Sequence, residues 1–212
     1  MKIAVIGAGK VGSALGSGWA KAGHTIIFGV RDVNKPDLKA LCARIGATAE
    51  LSADAARQGD LVVLALPWSV AESAVKALGD LKGKIVIDSM NPLAMKDGAL
   101  GLERGFTTSG GEAVASWLLG AKIVKTFNQV GAEMMTAGTR FATRPVMFLA
   151  GDDDSAKSTV AQLVSELGFE ALDAGMLKQA RILEPFAMVW INQALFRGFG
   201  RDWAFGVLRP KG

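Results

Sequence analysis

The chain is 212 residues long, with half of its residues apolar and 21% charged. That suits one large domain, or one domain with a small appendage, and excludes a disordered tail-like protein. The net charge is +4, but the positive residues are scattered singly, so no nucleic-acid partner is expected. One cysteine (Cys42), one histidine (His24) and no tyrosine exclude an intrachain disulfide and a cysteine-based metal cluster. They also exclude a two-histidine mechanism and a tyrosine–lysine proton relay.

In chain order, short apolar runs at 2–6, 25–29, 61–66, 84–88, 122–127, 146–150 and 169–173 read as strands. They are nearly continuous in Val, Ile and Leu, as strands buried on both faces of a parallel sheet should be. Helical spacing appears between them at 11–22 and 69–78, and again at 153–167, where acidic residues suit a helix start. The stretch 91–111 is the most irregular, read as a loop that is partly helical. From Gly175 the pattern changes to a helix over 177–197, with Pro185 at its start or at a kink, then a glycine- and aromatic-rich tail. The predicted fold is α/β: a doubly wound, Rossmann-type, mainly parallel sheet with a small C-terminal helical extension. The expected division is a dinucleotide-binding core over 1–138 and a smaller part over 139–212, first α/β and then helical. The first six residues are too short for a secretory leader. No apolar window of about 18 residues occurs, so no membrane span is expected and the cytoplasm is the expected compartment.

Gly7-Ala8-Gly9-Lys10-Val11-Gly12 matches G-x-G-x-x-G between an apolar strand and a helical pattern. Gly7 allows the tight turn, Gly9 admits a pyrophosphate close to the backbone, and Gly12 lets helix pack on strand. The helix N-terminus offers free N–H groups and a positive dipole end to phosphates. NAD-binding folds carry an acid near the end of the second strand for the ribose hydroxyls. Here that strand ends Phe28-Gly29-Val30-Arg31-Asp32, with Gly29 near the acidic position. Arg31, with Lys35 close by, suits the 2′-phosphate of NADP(H), because charge-assisted hydrogen bonds contribute roughly 1.5–3 kcal/mol each. The alternative is that Asp32 takes the ribose and Arg31 is merely exposed.

Further along lie Leu66-Pro67-Trp68, Lys125-Thr126-Phe127-Asn128 and Gly151-Asp152-Asp153-Asp154. Leu172-Asp173-Ala174-Gly175 and Ala180-Arg181-Ile182-Leu183-Glu184 follow. With the glycine turn and Gly29-Val30-Arg31, this ordered set resembles the coenzyme F420-dependent NADP oxidoreductases, the small NADPH:deazaflavin reductases. It is more weakly similar to the cytosolic domains of membrane ferric reductases. The resemblance implies that Ala8, Gly9, Lys10 and Val11 sit on the pyrophosphate and adjoining ribose. It puts Val30, Arg31 and Lys35 around the 2′-phosphate, and Leu66, Pro67, Trp68 and Asn128 beside the nicotinamide. The acceptor side departs from the deazaflavin reductases. Their His-Thr-Ile-Pro-Ala-like run is Phe127-Asn128-Gln129-Val130-Gly131 here, and Lys178-Gln179-Ala180 replaces a Ser-Asn-Ser-like run.

Hydride transfer between two bound rings needs orientation more than proton chemistry, which suits a chain with one histidine and no tyrosine. No single catalytic residue is singled out. The leading reading is an NADP(H)-dependent oxidoreductase passing hydride to or from a second redox cofactor, a coenzyme F420-like deazaflavin or a flavin. The alternatives are a small-substrate NADP dehydrogenase, with Lys178 or Asn128 as polar participant, and a non-catalytic NADP(H) sensor. Trp68 walls the nicotinamide or is a core tryptophan; Asn128 bonds the cofactor or caps the following helix. His24 and Cys42 read as structural, and Asp152-Asp153-Asp154 as a helix cap rather than a metal site. The apolar segment 186–205 covers the acceptor pocket or pairs with a second subunit, with a homodimer expected; a core helix with a folded-back tail is the plainer choice.

Overall fold

β1 (Lys2–Ile6) is apolar after its first residue and buried beyond it, as a strand in the middle of a sheet must be. The computed structural model, which describes residues 1–210, builds outward from it in both directions. α1 (Lys10–Lys21) returns the chain to β2 (Thr25–Val30), which lies parallel beside β1. α2 (Pro36–Ile45), β3 (Thr48–Leu51) and α3 (Ser52–Gln58) finish that edge. The chain then crosses to β4 (Leu61–Leu64) on the other flank of β1. α4 (Trp68–Lys76), β5 (Ile85–Asp88), the hairpin of β6 (Leu93–Lys96) and β7 (Ala99–Leu102), α5 (Gly110–Trp117) and β8 (Lys122–Lys125) follow. β9 (Val146–Gly151), α6 (Asp154–Glu166), β10 (Glu170–Asp173) and α7 (Ala180–Leu195) complete the fold. The sheet has eight strands in the order β10-β9-β8-β5-β4-β1-β2-β3, the mainly parallel, doubly wound arrangement that the strand–helix alternation predicts.

Alternate residues of each central strand face opposite layers. Ile3, Val5, Ile26, Phe28, Leu61 and Val63 meet Trp19 of α1, Leu163 of α6 and Trp190 of α7. Ala4, Ile6, Ile27, Val62 and Leu64 meet Ala55 of α3, Val75 of α4 and Val114 of α5. Trp19 is fully buried; its indole N–H donates to the Leu163 carbonyl at 3.1 Å, and its ring meets Phe127 edge-on. His24 bridges the amino terminus and Glu166, its Nε2 lying 2.7 Å from the carboxylate, which is a structural role. Cys42 is half-buried on α2, and burial pushes its thiol pKa up, away from reactivity.

Three elements differ from the sequence reading. The irregular stretch after Asn91 opens as a β-hairpin and is helical only at its last two residues, where α5 begins: Asp97 and Gly98 both have positive φ (49° and 78°), the two-residue turn that matches strand twist. β3 is an extra edge strand, too short and too exposed to stand out by periodicity. β9 runs antiparallel to β8, because only 3-10 turns, and no crossover helix, lie between them; β10 is parallel to β9 and therefore reversed as well.

α7 begins at Ala180 after a 3-10 turn and carries Pro185 inside it. Proline has no N–H for the Arg181 carbonyl, and the Phe106 N–H donates to it instead at 3.2 Å. Arg181 also grips Glu112 near the start of α5, at 2.7–3.1 Å through Nε and Nη2, and this bonding holds that carboxyl below its usual range. Among the described residues no helix is long and apolar enough to cross a membrane.

A Cβ on residue 12 would lie 1.9 Å from the Gly7 carbonyl oxygen. Gly12→Ala is therefore expected to cost about 3 kcal/mol or more, read as a lower urea midpoint. A midpoint equal to that of the parent would show that α1 can shift freely on the sheet.

Candidate active site

The chain leaves β1 for β2 on one side and returns through β4 on the other. The carboxyl ends of β1 and β4 therefore flank the switch point where open α/β sheets bind ligands. Gly7 turns the chain there with φ +101°, and a Cβ on it would sit 2.4 Å from the Ala65 carbonyl oxygen. Its N–H donates to the Gly29 carbonyl at 2.9 Å, tying the turn to β2. Gly9, the N-cap of α1, is exposed, and a Cβ there would meet nothing within 4 Å. No side chain caps α1 and its first turn carries no acid. Its terminal N–H groups and dipole end thus face open space, the arrangement that receives phosphate. Ala8 and Val11 are half-buried against the core, and Lys10 is exposed beside the turn.

At the end of β2, Val30 is half-buried while Arg31 and Lys35 are exposed. Neither cation has a carboxylate within 4.0 Å among the described residues. Asp32 is committed to a turn, its Oδ1 accepting the Asn34 N–H at 2.9 Å. Gly29 carries a different meaning from the one its position suggests. A Cβ there would lie 2.5 Å from Ile6 Cδ1 and 3.1 Å from Ser52 Cα, so the packing of α3 on the sheet crowds any side chain at this position, acid or not.

Leu66 and Pro67 follow β4, and Trp68 opens α4. The Trp68 ring stacks on Trp117 with centroids 5.5 Å apart, and its indole N–H donates to Glu103 at 2.9 Å. It is half-buried, and these contacts tie α4 to α5 and to the end of the hairpin.

Beyond β8 the backbone is forced into an unusual shape. Phe127 is fully buried yet has φ +57°, a strained conformation for a bulky residue. Thr126 donates to the Phe148 carbonyl, while the Gln129 amide bonds the Val146 carbonyl and the Phe148 N–H. Asn128 caps no helix. Its Nδ2 donates to Asn91 Oδ1 (3.1 Å) and to the Leu183 carbonyl (3.0 Å), and its own carbonyl accepts from Asn91 Nδ2 (2.7 Å).

Sequence reasoning missed the group beneath this loop. Lys125, Asp88 and Glu184 are each 0% exposed. Lys125 Nζ lies 3.0 Å from Asp88 Oδ2 and 2.9 Å from Glu184 Oε1, and it also donates to the Met90 carbonyl. Burial alone would push the ammonium pKa down, but the two carboxylates outweigh it and the net shift is upward. The available signal was a lysine closing an apolar strand run and the single acid of the largely apolar α7. The Asp152–Asp154 triplet serves α6, with Asp153 capping it through the Ala156 N–H at 2.8 Å. Asp152 accepts the Leu177 N–H.

Over 209 residues the chain is 32% identical to the F420-dependent NADP reductase of Methanocaldococcus jannaschii, covering 91% of this chain and 92% of that one. The chain belongs to the coenzyme F420-dependent NADP oxidoreductase family. The family's model, described as NADP oxidoreductase, coenzyme F420-dependent, matches residues 2–92, which contain the glycine turn, Arg31 and Trp68. A solved structure assigned as an F420-dependent NADP reductase from Arthrobacter sp. FB24 superposes with a TM-score of 0.90 at 32% identity. It covers 99% of this chain and 100% of its own. The metalloreductase STEAP3 of Rattus norvegicus is 27% identical over 187 residues, 88% of this chain but 36% of that protein. As a member of this oxidoreductase family the chain is an NADP-dependent enzyme.

Two outcomes follow from the packing. Gly29→Asp should not convert the enzyme to NAD; it should destabilise by about 3 kcal/mol or more, by overpacking and by burying an unpaired carboxylate. A folded Gly29→Asp variant that prefers NADH would contradict this. The contribution of Lys125 is complete below its ordinary pKa of 10.5 and is lost as pH rises through its higher folded value. The calorimetric midpoint should therefore fall on the alkaline side, and less so when Asp88→Asn, Lys125→Met and Glu184→Gln are combined.

Proposed function

We propose that this enzyme transfers hydride between NADP(H) and a second redox cofactor, coenzyme F420 or a flavin. The observation that carries the reading is the uncapped α1 N-terminus at the switch point, with two unpaired cations, Arg31 and Lys35, at the adjacent rim. Gly7, Ala8, Gly9, Lys10, Val11 and Gly12 hold the pyrophosphate through backbone N–H groups and the helix dipole. Val30, Arg31 and Lys35 enclose the 2′-phosphate; an acid there would repel it. Leu66, Pro67, Trp68 and Asn128 border the nicotinamide. When bound, NADPH supplies the hydride from its dihydronicotinamide ring. The protein's contribution is to hold the two rings face to face and to exclude water, for which a packed tryptophan and a buried asparagine are suited. The acceptor is inferred from the nearly full-length relative named an F420-dependent NADP reductase.

Arg31→Ala is expected to weaken NADPH about 10- to 100-fold while changing NADH little, since one or two charge-assisted hydrogen bonds are lost. Equal losses for both would remove Arg31 from the phosphate site. Stopped-flow mixing of the enzyme and NADPH with coenzyme F420, FMN or FAD, followed at 340 nm, tests the transfer itself. Turnover with at least one is expected. Tight NADPH binding without oxidation by any of them would instead mark a cofactor-binding sensor.

A further inference from the structure

The buried Lys125–Asp88–Glu184 cluster is saturated with hydrogen bonds. Lys125 spends its three donors on Asp88, Glu184 and the Met90 carbonyl. Glu184 accepts the N–H groups of Gly110 and Gly111 at 2.8 and 3.0 Å, and Asp88 Oδ1 accepts that of Met90 at 3.0 Å. Apolar side chains of similar volume often fill such a space with equal or greater stability, because three charges must otherwise be stripped of water. Stability is thus a weak reason for the cluster, and its geometry offers a better one. It pins α7 at Glu184 to the carboxyl ends of β5 and β8. The carbonyl of the preceding residue, Leu183, receives one N–H of Asn128, and Asn91 receives the other. Both amide donors of Asn128 are therefore spent. Its Oδ1 has no hydrogen-bond partner among the described residues, although the residue is only 6% exposed.

We propose that Lys125, Asp88 and Glu184 are positioning residues for the nicotinamide half of the cofactor. By clamping α7 to β5 and β8 they hold the Asn91–Asn128 pair so that Asn128 Oδ1 accepts a hydrogen bond from the nicotinamide carboxamide. The proposal rests on the NADP(H) reading above and adds to it the residues that set the ring's place. The charges act through Asn128, so their removal affects the nicotinamide and leaves the adenosine phosphate end untouched.

Calorimetric titration of the full chain with NADP+ and with 2′,5′-ADP, which carries the 2′-phosphate but no nicotinamide, separates the two ends. Glu184→Gln removes the charge and keeps one acceptor oxygen, enough for the Gly111 N–H and Lys125 but not for the Gly110 N–H as well. It is expected to weaken NADP+ about tenfold, the scale of one hydrogen bond, and to change 2′,5′-ADP less than twofold. Asn128→Ala should give the same split. Should Glu184→Gln fail to fold, the neutral combination of Asp88→Asn, Lys125→Met and Glu184→Gln carries the comparison, since it leaves no unpaired buried charge. Parallel losses for both ligands, or no loss for either, overturn the clamp while leaving the cofactor reading intact. Wild-type protein that binds neither ligand overturns the cofactor reading and the clamp with it.

Discussion

The close seat of α1 on the sheet is the constraint from which the rest of the site follows. The Gly7 carbonyl occupies the space that a Cβ of residue 12 would need, and the Phe28 ring fills the space beside Gly16. Because the helix can approach this closely, its N-terminus lies at the carboxyl end of β1 and not above it. The Gly7 N–H then reaches the Gly29 carbonyl, and the turn is fixed to β2. The uncapped N-terminus of α1, the placement of Arg31 and the opening beside β4 all depend on that one short helix-to-sheet distance.

The opposite side of the crevice is organised by charge rather than by glycine. β5 and β8 end in Asp88 and Lys125, and α7 lowers Glu184 onto them. The reversal of β9 leaves a long connection after β8. That connection is held by side-chain-to-backbone bonds, with Gln129 standing in for a strand residue against β9. The strained Phe127 backbone and the Pro185 gap, closed by the Phe106 N–H, belong to the same docking of α7. A helix that would otherwise be a simple extension is thereby fixed to the carboxyl ends of β5 and β8.

Much of the fold was readable because its signals are local. Unbroken Val–Ile–Leu runs identify buried parallel strands, and G-x-G-x-x-G between strand and helix identifies the turn. The hairpin is not read from the sequence: Asp97-Gly98 is a turn pair, but the strands beside it are too brief for periodicity to show. Asn128 stands out only through the family resemblance, and its surroundings are set by the fold. The residue makes no helix cap and spends its donors on Asn91 and Leu183, one of them 55 residues away. At Gly29 the sequence shows that no acid stands there; the crowding by Ile6 and Ser52, both distant in the chain, is visible only in the fold.

What the sequence by itself determined is the sheet-and-helix alternation, the glycine turn and the cationic residues that follow the second strand. Each depends on neighbours within one strand–turn–helix unit. Tertiary structure alone decided the direction of β9 and β10, the crowding at Gly29 and the meeting of Lys125, Asp88 and Glu184. Those three charges are separated by 37 and 59 positions, and nothing in a linear pattern pairs them. Only the folded sheet removes them from water together, and in that setting a lone charge could not persist.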